Sequence, residues 1–376
     1  MAGHRSQLPD GRWKIVVETG IDPSTGKRRR HSRIVGKFND AGKELHRLEE
    51  NAIQGVLAHP SKTTLAEYLR PWFEYRARRR VRAKTAERYL GIIEQHIIPT
   101  IGGLTIAQIA PMDIQKALAG WQDAGLSPAT VRQHHAVLRS ALGDAVSDGL
   151  ISRNPASAAR APAPVHREML AWEPEQCRAV LEALSASVLH LPVLTALSTG
   201  MRRGEVCAVR RSDVDLKDSR LRVVRTLTQT SDGLSFCDPK TTAGKRSIPM
   251  PPALVCEFKS QFKMQAQNKL VMRGAYSDGG LVFCQADGTP YRPDTLSSTF
   301  ANWIKRNGPR LGVPVIGFHG LRHTYATILI AAGVDPKTIA QLMGHANVGF
   351  TLSTYGHVMR GAEEAAAEAV SQAIGS

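Results

Sequence analysis

The chain has 376 residues, with 49 Lys plus Arg against 33 Asp plus Glu and a formal net charge of +16. An excess of that size steers a protein to polyanions and points to nucleic acid. No apolar run or basic amphipathic anchor suits a membrane, and the polar residues 1–10 lack the apolar core of a secretory signal, so a cytoplasmic protein is expected.

At about 100 to 200 residues per domain, two or three domains are expected, and the pattern along the chain divides into three. The first spans residues 1–58. Gly11 to Thr19 reads GRWKIVVET, a GIDPSTG turn follows, and KRRRHSRIVGKF then mixes β-branched residues with charge, which predicts two or three short strands. A helix follows from about Asn39 to Leu57. The basic cluster Lys27, Arg28, Arg29 and Arg30 suits either a solvated hairpin or an arm that lays strands into a DNA groove.

The second domain, 62–160, reads as almost entirely helical. A helix opens at Thr64 and carries Leu69, Trp72 and Phe73 into the run RARRRVRAKTAERYL, where seven basic side chains face one acid, Glu87. Arg78, Arg79, Arg80, Arg82 and Lys84 are therefore candidate phosphate contacts, although charge runs are more often solvated faces. Helices are expected at about Met112 to Ala124 and at Pro128 to Asp148, the latter with Ser127 as N-cap and Pro128 in its first turn. The Pro-, Ala- and Arg-rich stretch 151–164 suits an extended linker.

The third domain, 168–376, mixes helices with short strands at Arg220 to Leu227, near Leu234 to Asp238, and at Lys245 to Met250. The chain as a whole is expected to be mainly α with small β-sheets, an α+β class. All five cysteines (Cys177, Cys207, Cys237, Cys256 and Cys284) lie in this domain without C-x-x-C spacing, so buried reduced thiols are expected rather than a disulfide or zinc framework.

Several polar residues here are ordinary singly and notable in sequence. TGMRRGE at 199–205 puts Arg202 and Arg203 at a helix start, where positive charge opposes the helix dipole unless an anion is held. Lys240 lies in CDPKTTAGKRSIP between the second and third strands, with Lys245 nearby, and spacing alone does not choose between members of either pair. HGLRH at 319–323 opens an apolar helix. His319 and His323 have the i,i+4 spacing of a zinc pair, but Gly320 stands where a zinc protease has its glutamate and no third ligand follows, so no metal is expected. LMGH ends in His345, and ten residues later stands Tyr355, the one strong candidate nucleophile in the region.

Taken together these motifs resemble the tyrosine recombinases, or phage integrases. Their pattern is T-G-x-R at a helix start, a lysine on a β-hairpin, H-x-x-R, a His or Trp after L-G, and then a tyrosine. TGMR, Lys240, HGLR, MGH and Tyr355 fill it in order, with Met343 in place of the commoner leucine. The resemblance implies that Arg202 and Arg322 clamp the phosphate, His319 is the base, Lys240 protonates the leaving 5'-oxygen, His345 bonds a phosphate oxygen, and Tyr355 forms a 3'-phosphotyrosyl link. Glu205 and His323 would support this group from behind. It further implies a helical core-binding domain, an arm-type N-terminal domain, duplex attachment sites, a homotetramer on synapsed DNA, DNA-bending or excision-directing accessory proteins, and no ATP, metal or other cofactor. The C-terminal stripe Ala365, Ala369, Val370 and Ala373 would dock on a neighbouring protomer. Xer-like and transposon recombinases, a topoisomerase-like nicking enzyme and a catalytically silent DNA-binding relative are the alternatives.

Overall fold

The computed structural model describes residues 3–21, 28–53, 62–164, 169–239, 241–345, 347–349 and 371, with only the backbone described for 19–21, 28–29 and 51–53. Lys240, Tyr355, Lys27, the side chains of Arg28 and Arg29, and the expected C-terminal docking stripe lie outside that description. The chain divides into two compact units, 1–166 and 167–376.

The first unit begins with an antiparallel sheet in the order β1 (Gly3–Gln7), β2 (Trp13–Ile21) and β3 (Arg28–Val35), followed by α1 (Phe38–Ile53). Alternation along β2 turns Ile15 and Val17 to one face, where they are fully buried with Ala41 and Leu48 of α1. Strand β1 was not expected. Its sequence, GHRSQ, is polar and mostly exposed, so it carries no hydrophobic alternation to reveal it.

The helical part of this unit has its own core. Helix α2 (Leu65–Trp72) opens with a reciprocal cap: Thr64 Oγ1 accepts from the Glu67 N–H at 3.2 Å, and the Glu67 carboxylate accepts from the Thr64 N–H at 2.8 Å. It widens into a π-turn at Phe73–Ala77 before α3 (Arg78–Arg80). Helix α4 (Ala83–Ile92) widens likewise at Ile93–Ile97 before α5 (Ile98–Ile101). A proline, Pro71 or Pro99, lies within two residues of each π-turn and removes one ordinary backbone donor. Helices α6 (Pro111–Asp123) and α7 (Pro128–Ser147) complete the bundle, with Leu69, Ile93, Ile97, Ile114, Leu118 and Leu138 in its centre.

The stretch read as an extended linker is partly core instead. Ile151, Ala156 and Ala159 are buried in the bundle, and the Ala156 carbonyl is 2.8 Å from His135 Nε2. Its small apolar residues fit between helices, which composition alone did not distinguish from linker chemistry.

In the second unit, α8 (Pro174–Ala183), α9 (His190–Thr199) and the single turn α10 (Arg203–Val206) precede the strands β4 (Val214–Asp215), β5 (Arg220–Val223), β6 (Thr226–Thr230), β7 (Gly233–Cys237) and β8 (Arg246–Pro249). Helices α11 (Pro252–Met272), α12 (Pro293–Asn307), α13 (Phe318–Ala331) and α14 (Pro336–Met343) follow. Trp172 ties the start of this unit to its far end: its backbone N–H donates to Thr324 Oγ1 at 3.0 Å and its indole N–H to the Pro314 carbonyl at 2.9 Å. The mainly α class with small sheets is what the sequence led one to expect.

The strands divide differently from the expectation. What looked like one strand to Leu227 breaks after Val223, and two sheets result, β4-β5-β8 and β6-β7. Strand β7 pairs with β6 and β8 with β5, so the chain passes from one sheet to the other between β7 and β8. Of the cysteines, Cys177, Cys207 and Cys284 are buried, Cys237 is half-buried and Cys256 is exposed, so burial holds for three; all five are free thiols.

Candidate active site

Helix α9 ends at Gly200, which has φ +61°, and a Cβ there would stand 2.4 Å from the Tyr325 ring. Both the left-handed backbone and the close approach require glycine. That turn delivers Arg202 to the N-cap of α10, and Arg203 follows it. The side chains then part. Arg203 reaches α12, bonding Ser297 Oγ at 2.9 Å and the Asp294 carboxylate at 3.0 Å. Arg202 turns to Glu205, Nη1 to Oε1 at 2.8 Å, and to the Gly344 carbonyl at 3.2 Å. The pair that spacing left open thus separates into a residue that braces α12 and one that joins the motif residues. The expected conflict with a helix dipole is small, because α10 is one turn and the Glu205 carboxylate also accepts from the N-cap N–H at 2.9 Å.

Glu205 is 3% exposed and serves a second guanidinium, Arg246, whose Nη2 lies 3.0 Å from Oε2. Burial alone would raise its pKa, but Arg246, the Arg202 N–H and the Arg202 charge hold it below the usual carboxylate value. Arg246 was not singled out from the sequence. A signal existed: on β8 it is two residues from the fully buried Ile248, and an arginine in phase with an apolar face must be paired inside the protein.

Arg322, on α13, is 2% exposed and donates to the Gly200 carbonyl and the Met343 carbonyl, both at 2.6 Å. Helix α14 is seated on α13 by Ile339 and Met343, packed with Tyr325 and Ala326. It ends in a Schellman turn: Gly344, at φ +66°, donates to the Gln341 carbonyl and His345 to the Ala340 carbonyl. The next three carbonyls each accept from a different guanidinium, Leu342 from Arg246 at 2.6 Å, Met343 from Arg322, and Gly344 from Arg202. Consecutive acceptors hold the arginines side by side while leaving their charge in place.

His319 and His323 stand edge to face with ring centroids 4.8 Å apart. His319 is exposed at its surface, yet surrounding protein desolvates it, and with His323, Arg322, Arg202 and Arg203 lowers its pKa to about 4. Half-buried His345 is likewise lowered to about 4, by burial and then by Arg322, Arg202, Arg246 and His323, and His323 is lowered by burial and Arg322. All three rings are neutral at pH 7 and able to accept a proton or a hydrogen bond. Among the described residues no group of three or more His, Cys, Asp or Glu could hold a metal ion, and no helix is long and apolar enough to cross a membrane.

Of the candidate DNA contacts of the first unit, the described ones, Arg30, Arg78, Arg79, Arg80, Arg82 and Lys84, are exposed, and several already have partners. Arg30 pairs with Glu18, Arg78 with Glu74, Arg80 with Asp144 and Lys84 with Glu87, while Arg79 and Arg82 lie on the surface. Asp144 comes from α7 and Glu74 from just before the run, so the run is less lopsided than its local sequence implied.

A family profile described as "Phage integrase family" matches residues 172–361, half of the chain. The chain belongs to the phage integrase family. Its members are tyrosine recombinases, and this chain is accordingly a site-specific recombinase, a DNA strand-transfer enzyme. A second profile, the phage integrase N-terminal SAM-like domain, matches residues 64–122 in the helical bundle. A tyrosine recombinase XerC-like protein of Caldanaerobacter subterraneus subsp. tengcongensis is 27% identical over 96% of each chain. The putative prophage phiRv2 integrase of Mycobacterium tuberculosis is 27% identical over 98% of this chain and 95% of its own. Among solved structures, the Tn1549 transposon integrase in complex with transposon right end DNA shares the fold with TM-score 0.66 at 24% identity, over 78% of this chain and 94% of that one. A lambda integrase tetramer bound to a Holliday junction does so with TM-score 0.57 at 22% identity, over 91% and 95%.

Proposed function

We propose that this phage integrase family member cuts and rejoins duplex attachment sites through a 3'-phosphotyrosyl intermediate, and that it inserts or excises a mobile element. The observation that carries the reading is the pair Arg202 and Arg322, held side by side on consecutive carbonyls with neutral imidazoles around them. Two guanidiniums so placed can grip the non-bridging oxygens of one phosphate. They would act most strongly in the transition state, where negative charge on those oxygens grows.

Tyr355 Oη attacks phosphorus, its proton passes to His319, the bond to the 5'-oxygen breaks, and Lys240 supplies that oxygen with a proton. His345 donates to a phosphate oxygen. The phosphotyrosyl bond keeps the energy of the broken link until a 5'-hydroxyl of the partner duplex attacks, so the cycle consumes no ATP. Glu205 and His323 support the clamp and the base. The reading has the chain act as a homotetramer in the bacterial cytoplasm, with DNA-bending or excision-directing proteins as helpers. Residues 1–58 would be an arm-type domain, 62–160 the core-binding domain and 168–376 the catalytic domain. Arg30, Arg79, Arg82 and their basic neighbours would contact phosphates.

Tyr355→Phe tests it on a nicked suicide duplex. Covalent, protease-sensitive adduct should vanish while specific binding stays within about threefold of the parent, since one hydroxyl contributes little to an interface dominated by phosphate contacts. Adduct formed by the variant would move the nucleophile elsewhere.

A further inference from the structure

We infer that Arg246 is a positioning residue for strand cleavage, one that makes the phosphate clamp depend on the seating of α14. The inference rests on the clamp role proposed for Arg202. Arg246 does not face the reacting phosphate in this account. Its side chain is 6% exposed, and its donors are committed to three segments: Nε to the Leu342 carbonyl at 2.6 Å, Nη1 to the Gly244 carbonyl at 3.0 Å, and Nη2 to Glu205 at 3.0 Å.

Each bond has a distinct consequence. The first fixes the last turn of α14 against β8. The second fixes the crossover just after residues 241–243. The third neutralises and orients the carboxylate whose other oxygen holds Arg202. Arg202 is therefore aimed from two sides, by Glu205 and by the Gly344 carbonyl; Arg246 holds the first directly and the chain two residues before the second. Gly344 allows this closeness: a Cβ there would lie 3.0 Å from Arg246 Nη1 and from the Ala243 carbonyl. A lysine cannot replace this planar fork, because its single ammonium does not span three fixed acceptors.

The physical prediction is that loss of Arg246 lets Arg202 swing while leaving its charge. A misplacement near 1 Å costs on the order of 10²-fold in rate, whereas binding summed over many phosphates scarcely notices it. Arg246→Lys, which keeps the charge, should cut single-turnover cleavage at saturating protein by about 10²-fold. Its affinity for the same duplex should stay within about threefold. The defect should persist on a duplex with a 5'-bridging phosphorothiolate, whose sulfur leaving group needs no acid, because the fault lies in the clamp. The double variant Arg246→Lys/Glu205→Gln should be little worse than either single, since both act through one chain of bonds.

Parent-like cleavage by Arg246→Lys, additive losses, equal loss of binding and cleavage, or restoration on the phosphorothiolate would each overturn the inference. If Arg246→Lys does not fold, Glu205→Gln carries the test, because Arg246 reaches Arg202 through that carboxylate; it must show the same loss of cleavage without loss of binding. Failure of the underlying reading is distinguishable, since the parent protein would then form no adduct dependent on Tyr355.

Discussion

The arginines of the helical bundle and those of the candidate active site belong to the same residue type and do opposite things. In the bundle, Arg76, Arg78 and Arg80 each meet a carboxylate, Asp148, Glu74 and Asp144, at or near the surface. Such pairs cancel charge and, screened by solvent, contribute little to stability. In the second unit, Arg202, Arg246 and Arg322 meet backbone carbonyls, and a single carboxylate serves the first two. A carbonyl fixes a guanidinium without removing its charge. Dense positive residues, each with its own acid, therefore mark the surface, and sparse arginines that share one carboxylate and are fixed by carbonyls mark the site.

The largest break in that contrast should come from Arg322→Lys. Its two carbonyl bonds cannot both be kept by one ammonium, and cleavage should fall by on the order of 10² to 10³-fold, as for loss of one preorganised donor, with binding changed far less. Parallel quenching of adduct formation and gel-shift affinity would reduce Arg322 to a binding residue.

A smaller effect should follow pH. The folded pKa values of His319 and His345, about 4, lie below the unfolded value near 6.5, so the stability they allow is full above pH 6.5 and is lost as pH falls toward 4. Thermal unfolding should accordingly drop from pH 7 to pH 5. Ring resonances should titrate near 4 in the free protein and move upward when a duplex places phosphate beside them, because an anion favours the imidazolium. Midpoints near 6.5 without DNA would contradict the crowding of positive charge.

The smallest effect is expected for Arg80→Ala. Its exposed pair with Asp144 should cost less than about 1 kcal/mol of stability. If Arg80 also reaches a phosphate, the slope of log affinity against log salt should lessen by about one. An unchanged slope would leave it as surface pairing alone.

Helix limits were legible where the chemistry is local. Pro128 stands in the first turn of α7, and Ser127 Oγ accepts from the Thr130 N–H as an N-cap should. The site residues were legible because their order is a motif. Partnership between distant strands was not. The β-forming run continues past Val223 to Leu227, yet those two residues serve different sheets, and only the pairing of β5 with β8 reveals the crossover after β7. Arg246 stayed hidden for a related reason, since its partners lie 41 and 96 residues away in the chain.

The turn after α14 has a consequence for inheritance. Because Leu342, Met343 and Gly344 hold three arginines through their main chain, the side chains at 342 and 343 are free to vary so long as they pack, and what must be kept is the bend. Met343 could give way to another apolar side chain of similar volume, whereas Gly344, at φ +66°, could not be exchanged without straining the bend.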